Sequence, residues 1–180
     1  MTAERSTPPH PPDRRAGLDR LGLVLDAVLV DLGGTIVAEA PPGTAVADLR
    51  VTILRDGLAA LRAVRAAGVP TAAVTNTAVM VEADVRSLLG PSGLDAQLDV
   101  VVTSVDVGVA KPDPAAVVEA LRRLGGVAPH RALLIGDADA DTGAAAAAGV
   151  HHLDIRDDDR PLLTAITEWL ATQAPPTRPQ

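Results

Sequence analysis

The chain has 180 residues and a formal net charge of −7 at pH 7, and it contains no cysteine, phenylalanine or tyrosine. The lack of cysteine excludes a disulfide framework, a cysteine-ligated zinc site and a cysteine nucleophile. The acidic balance and the single aromatic residue, Trp169, argue against a nucleic-acid surface, and no apolar run reaches the roughly 18 residues of a membrane span. We therefore expect a cytoplasmic protein with no nucleic-acid surface and no membrane contact.

Proline-rich segments lie at both ends of the chain. Residues 1–20 and 174–180 contain few large apolar residues, so they are predicted to be disordered tails. The intervening residues 21–173 are expected to form one domain of ordinary size.

Between these segments, short apolar runs alternate with amphipathic stretches. The apolar runs predict strands over residues 27–30, 70–74, 100–102, 132–135 and 150–155. Apolar residues at three- and four-residue steps, bounded by glycine or proline, predict helices over 51–64, 79–89, 114–124, 142–148 and 161–171. Strand–helix alternation predicts an α/β fold, a Rossmann-like three-layer sandwich with a mainly parallel sheet of about five strands.

Polar residues follow four of the predicted strands. They are Asp31, Thr75 with Asn76, Lys111, and Asp137 with Asp141. In a parallel sheet the carboxyl ends of the strands meet at the edge where ligands bind. Carboxylate oxygens suit Mg²⁺, a hydroxyl and backbone amides suit phosphate oxygens, and an ammonium group neutralises them.

In this order, the residues resemble the motifs of the haloacid dehalogenase-like (HAD) hydrolase superfamily, whose members are mostly Mg²⁺-dependent phosphatases. The resemblance covers about residues 26–155 and consists of four stretches. They are Asp31-Leu32-Gly33-Gly34-Thr35, Thr75, Lys111, and Gly136-Asp137 with Asp141.

The resemblance implies a phosphatase in which Asp31 attacks phosphorus and forms an aspartyl-phosphate that water then hydrolyses. The implied catalytic residues are Asp31, Thr75 and Lys111. The implied phosphate-binding residues are Thr75, Asn76 and Lys111. The implied Mg²⁺ ligands are Asp31, the carbonyl oxygen of Gly33, Asp137 and Asp141.

Gly33 departs from the family pattern, because related phosphatases usually carry a second aspartate there. That aspartate protonates the leaving oxygen and later activates water. Three alternatives stay open. In the first, the substrates have good leaving groups. In the second, another acid replaces the aspartate, either Glu39 or Asp48 in the following loop or one from a partner subunit. In the third, the protein binds phosphate as a catalytically impaired family member or as a scaffold.

Three related chemistries fit less well. A phosphonate hydrolase needs a Schiff-base lysine from a cap domain, and the only lysine is Lys111. A haloacid dehalogenase uses an aromatic-rich pocket, which this composition does not supply. A signalling receiver domain has its paired acids early and its lysine last, the reverse of the order in this chain.

The spacing of the motifs predicts a capless protein. About fifteen residues separate Thr35 from the predicted helix near Val51, and one helix and one strand fill the interval from Thr75 to Lys111. The expected substrate is a phosphorylated molecule of unknown identity. Either it is large enough to bind at an open site, or a homo-oligomer closes the site around it.

Overall fold

A computed structural model of the protein describes residues 25–173. The tails predicted for residues 1–20 and 174–180 lie outside this range. The strands are β1 (Ala27–Val30), β2 (Thr71–Thr75), β3 (Val100–Thr103), β4 (Ala132–Gly136) and β5 (His151–Asp154). The α-helices are α1 (Gly57–Ala66), α2 (Glu82–Leu89), α3 (Ser104–Val107), α4 (Ala115–Arg123), α5 (Asp139–Ala148) and α6 (Leu162–Gln173). Within 25–173, no helix is both long and apolar enough to cross a bilayer.

The five strands form one parallel sheet in the order β3-β2-β1-β4-β5. This arrangement confirms the predicted α/β fold. From β1 the chain runs outward to β2 and β3 and then returns to place β4 on the other side of β1. The edge beyond β1 and β4 is therefore a topological switch point, the usual position of a ligand site in such sheets.

Helices cover both faces of the sheet because the central strands are apolar on both sides. Val28 and Val30 of β1 pack with α1, α2 and α6, whereas Ala27 and Leu29 pack with α4 and α5. This alternation follows from the two-residue period of a strand. Small residues dominate the inner face of α5, where Ala144 and Ala145 are fully buried, so this helix lies close to the sheet.

The predicted helix over residues 51–64 is wrong in its first turns, since α1 begins only at Gly57. Arg55 and Asp56 have left-handed backbone conformations, with φ of 48° and 51°, which a helix does not accommodate. The residues before them form an antiparallel bridge between Ile53 and Val37. The apolar residues of this segment therefore belong to two different structures, a paired loop segment before Arg55 and the helix that begins at Gly57.

Other helix boundaries also differ from the predictions. Helix α2 begins at Glu82 and not at residue 79, and α5 begins at Asp139 and not at residue 142. The short helix α3 was not predicted, because its four residues carry no repeated apolar spacing. It is capped by Thr103, whose hydroxyl oxygen accepts a hydrogen bond from the Asp106 amide at 3.1 Å.

No cap domain is inserted in the described part of the chain, as predicted. The loop between Thr35 and α1 contains one short 3₁₀ turn, Val46–Asp48. Between β2 and β3 there are only α2 and two further 3₁₀ turns. The carboxyl edge of the sheet is left open, with the loop over residues 36–56 beside it.

The contact between α5 and the loop that joins α3 to α4 gives a test of the packing. A β-carbon at Gly143 of α5 would lie 2.7 Å from Cβ of Pro112. In a helix interior, Gly→Ala normally stabilises by about 1 kcal/mol. We predict that Gly143→Ala instead destabilises by about 1–3 kcal/mol because of overpacking, as measured by urea unfolding.

The exposed position Ala147 on the same helix provides a matched control. Ala147→Gly should lower the free energy of unfolding by about 1 kcal/mol through helix propensity alone. A stabilised Gly143→Ala variant would contradict the described packing.

Candidate active site

A buried lysine lies at the centre of the carboxyl edge. Lys111 is only 6% exposed. Its ammonium group donates to Oδ1 of Asp31 at 2.6 Å, to Oδ1 of Asp141 at 2.6 Å and to the carbonyl oxygen of Val74 at 2.8 Å. All three N–H donors thus have an acceptor, which a buried ammonium requires.

The side chain of Asn76 fixes the backbone that carries this lysine. Its Nδ2 donates to the carbonyl oxygen of Lys111 at 3.1 Å, and its Oδ1 accepts from the Lys111 amide at 2.9 Å. The loop after β2 and the loop between α3 and α4 are therefore joined directly. This side-chain role was not predicted from the sequence, since the two residues are 35 positions apart.

Three carboxylates converge at the same edge. Asp31 follows β1, Asp137 follows β4, and Asp141 lies in the first turn of α5. One oxygen of each lies within 4.8 Å of the others. Oδ2 of Asp141 also accepts a hydrogen bond from the Ala138 amide at 3.1 Å, which fixes its orientation. A group of this charge and spacing could hold a hard divalent cation.

Two glycines make this close approach sterically feasible. A β-carbon at Gly136 would overlap the carboxylate of Asp141, and one at Gly34 would overlap that of Asp137. Gly34 also has φ of +78°, a conformation that residues with a side chain rarely adopt. The glycines thus determine how closely the acidic residues meet.

Two polar groups hold the loop after β1 in place. The Thr35 hydroxyl donates to Oδ1 of Asp137 at 2.6 Å. The Arg55 guanidinium donates to the carbonyl oxygens of Gly34 at 2.6 Å and Thr35 at 3.0 Å, and to that of Asp158 at 2.7 Å. Sequence reasoning missed Arg55, because no motif marks a residue that acts through distant carbonyl groups.

The remaining predicted site residues lie at the same edge. Thr75 is the buried last residue of β2 and follows Val74, whose carbonyl oxygen binds Lys111. Gly33 lies in the loop after β1 and forms a parallel bridge with Val37. All the residues predicted from the four motifs therefore lie at the carboxyl ends of the strands, in the loops or in the strand and helix ends beside them.

Burial controls the ionisation of Asp31. Loss of solvent raises the pKa of its carboxyl group from 3.8 to about 6. The Lys111 ammonium opposes this rise, whereas the neighbouring Asp141 carboxylate adds to it. The fold therefore holds Asp31 in a state that is costly to ionise without further positive charge.

The comparison with known families agrees with this geometry. The sequence pattern of the family described as haloacid dehalogenase-like hydrolase matches residues 25–149. The chain belongs to this family. The matched range contains the carboxylates, Lys111 and Asn76, so the HAD assignment covers the whole cluster described above.

Individual relatives support the HAD fold. The chain is 41% identical over 98 residues to a protein named phosphoglycolate phosphatase from Nitrosospira multiformis, covering 54% of this chain and 40% of that protein. The chain thus spans about two-fifths of the length of this relative.

Solved structures show the same architecture. A HAD-superfamily hydrolase from Ehrlichia chaffeensis has a TM-score of 0.68 at 14% identity, covering 83% of this chain and 98% of that one. A HAD phosphatase from Thermococcus onnurineus has a TM-score of 0.61 at 23% identity, covering 76% and 89%. At these identities the likeness concerns the fold.

The raised pKa of Asp31 predicts a specific pH dependence of stability. The folded chain holds a proton on Asp31 more tightly than the unfolded chain does. The resulting stabilisation is complete below about pH 3.8 and is lost as the pH rises through about 6. In chelator-containing buffer, the unfolding free energy of the wild type relative to Asp31→Asn should fall by about 2 kcal/mol from pH 4 to pH 7. A relative gain in wild-type stability over this range would contradict the burial effect.

Proposed function

We propose that this HAD hydrolase is a Mg²⁺-dependent phosphatase that cleaves phosphate monoesters through an aspartyl-phosphate on Asp31. The observation that carries the proposal is the Lys111 ammonium between Asp31 and Asp141, with an oxygen of Asp137 in the same cluster. This site brings a nucleophile, a compact positive charge and a set of oxygen ligands to one edge of the sheet. Family membership and the named phosphatase relative point to the same chemistry.

In this proposal, each side chain has a distinct role. Asp31 attacks phosphorus with one carboxylate oxygen, and Lys111 offsets the negative charge that accumulates as phosphate and carboxylate approach. The hydroxyl of Thr75 and the backbone amide of Asn76 bind phosphoryl oxygens. Asn76 also holds Lys111 in position through its side chain.

The acidic cluster fits a magnesium site, because its donors are all oxygens and two of its members are almost fully buried. The proposed ligands are Asp31, the carbonyl oxygen of Gly33, Asp137 and Asp141. When bound, Mg²⁺ supplies positive charge to the phosphoryl group and to the crowded carboxylates. Thr35 and the Ala138 amide keep two of these carboxylates oriented toward the shared point.

The absence of a cap over the site and the name of the phosphatase relative suggest which substrates to test first. The missing cap leaves the loop over residues 36–50 as the covering segment closest to the site in sequence. Phosphoglycolate, named for a relative of which the chain spans two-fifths, is the first alkyl ester to test. A panel of alkyl and aryl phosphate monoesters should accompany it.

The proposal predicts Mg²⁺-dependent release of phosphate from at least one ester in the panel, and complete loss of release in chelator. Asp31→Asn should lower turnover to background, because it removes the nucleophile. A single-turnover reaction with ³²P-labelled ester should leave acid-stable, hydroxylamine-sensitive label on the wild type only. Asp139→Asn is a matched control, since this exposed carboxylate pairs with Arg156 outside the cluster.

Turnover that is unaffected by chelator or by Asp31→Asn would contradict the proposal. The second candidate, phosphate binding without catalysis, is favoured by Gly33. It predicts binding of Mg²⁺ and a phosphate mimic in calorimetry, with no hydrolysis of any ester and no labelled protein.

A further inference from the structure

The space beside Gly33 is occupied by a carboxylic acid from elsewhere in the chain. A β-carbon at residue 33 would lie 3.6 Å from Cγ and 3.9 Å from Oε1 of Glu39. Apart from the chain neighbours of Gly33, no other described residue has an atom within 4 Å of that point. The side chain of Glu39 therefore lies in van der Waals contact with the point where a side chain at residue 33 would begin.

The backbone before Glu39 is held by pairing on both sides. Val37 forms a parallel bridge with Gly33 and an antiparallel bridge with Ile53. The amide of Ala38 donates to the carbonyl oxygen of Thr52 at 2.9 Å. The position of Glu39 beside Gly33 thus follows from the paired stem of the loop.

The other acid of this loop is placed differently. Asp48 ends the exposed 3₁₀ turn Val46–Asp48 and does not approach the β-carbon position of Gly33 within 4 Å. Both Asp48 and Glu39 are exposed. Of the two loop acids left open by the sequence, only Glu39 is close to Gly33.

We propose that Glu39 is the proton donor to the leaving oxygen, an inference that rests on the proposed phosphatase function and deepens it. As Asp31 forms its bond to phosphorus, the bond from phosphorus to the ester oxygen breaks. That oxygen keeps the electron pair and takes the proton of the Glu39 carboxyl group, so an alcohol leaves and Glu39 becomes a carboxylate.

The second half of the reaction returns the proton. The Glu39 carboxylate takes a proton from water as the water oxygen bonds to phosphorus. The bond from phosphorus to Asp31 then breaks, which releases inorganic phosphate and regenerates both the Asp31 carboxylate and the protonated Glu39. The substrate class that follows is the alkyl phosphate monoester, whose alkoxide is a poor leaving group without a proton donor.

The test compares two esters that differ in leaving group. In Glu39→Gln, kcat/KM for the best alkyl ester of the panel should fall on the order of 10²–10⁴-fold. For p-nitrophenyl phosphate, whose phenolate leaves without protonation, the fall should be much smaller. Asp48→Asn removes the same charge from the same loop and should change neither value. Thermal unfolding of both variants checks that the fold is retained.

A double variant gives a second readout. A β-carbon at residue 33 would make only ordinary van der Waals contacts, so a side chain can begin there without a clash. Gly33→Asp combined with Glu39→Gln should restore much of the alkyl-ester activity that Glu39→Gln alone loses. Recovery by a carboxyl group supplied from the neighbouring position distinguishes proton donation from a structural role of Glu39.

The outcomes separate this inference from the proposed function. Equal effects of Glu39→Gln on the two esters, or no effect on either, would overturn the role of Glu39 alone. Hydrolysis of aryl but not alkyl esters by the wild type would also overturn it, since no proton donor would then be needed. Absence of turnover by the wild type on every ester would overturn the proposed function and this inference together.

Discussion

The described site depends on the burial of one ammonium group. Lys111 lies almost out of solvent, and a buried charge is tolerated only when it is paired and fully hydrogen-bonded. Its partners come from the loop after β1, from the first turn of α5 and from the last part of β2. Together with the loop that carries Lys111, four separate segments must therefore meet at one point. Loss of any partner would leave one N–H donor of the buried ammonium without an acceptor. The ion cluster therefore links the correct pairing of the sheet to the formation of the site.

Several features of the fold are consequences of this requirement. Asp141 can reach the lysine only because Gly136 has no side chain, and the loop after β1 can approach Asp137 only because Gly34 has none. The small residues of α5 bring the first turn of that helix close to the strands. Arg55 then ties the loop after β1 to the segment after β5, at the cost of a left-handed backbone conformation.

The site is also arranged so that its carboxylates need more positive charge than the lysine provides. The raised pKa of Asp31 expresses this imbalance, because burial and Asp141 together outweigh Lys111. A divalent cation would complete the charge balance, and a phosphoryl group would then add negative charge between cation and ammonium. Glu39, the proposed proton donor, is exposed and approaches Gly33 from the loop that follows.

Much of this arrangement was predictable because it follows from local patterns. Apolar runs identified the five strands, and the rule that ligands lie at the carboxyl ends of parallel strands brought Asp31, Lys111 and Asp137 to one edge. The start of α1, the bracing of Lys111 by Asn76 and the position of Glu39 were not determined by the sequence pattern. Each depends on backbone pairing between separated segments. Gly33 indicated that an acid was missing, but only the pairing of the loop showed which acid lies beside it.

The most direct test of the account is whether Asp31 accepts a phosphoryl-like group beside Lys111. Beryllium fluoride with Mg²⁺ forms a stable mimic of an aspartyl-phosphate, and ¹⁹F NMR detects its protein-bound fluorides. We predict bound ¹⁹F resonances in the wild type and in the control Asp139→Asn, and none in Asp31→Asn or in the absence of Mg²⁺. Bound resonances of equal intensity in Asp31→Asn would contradict the assignment of Asp31 as nucleophile.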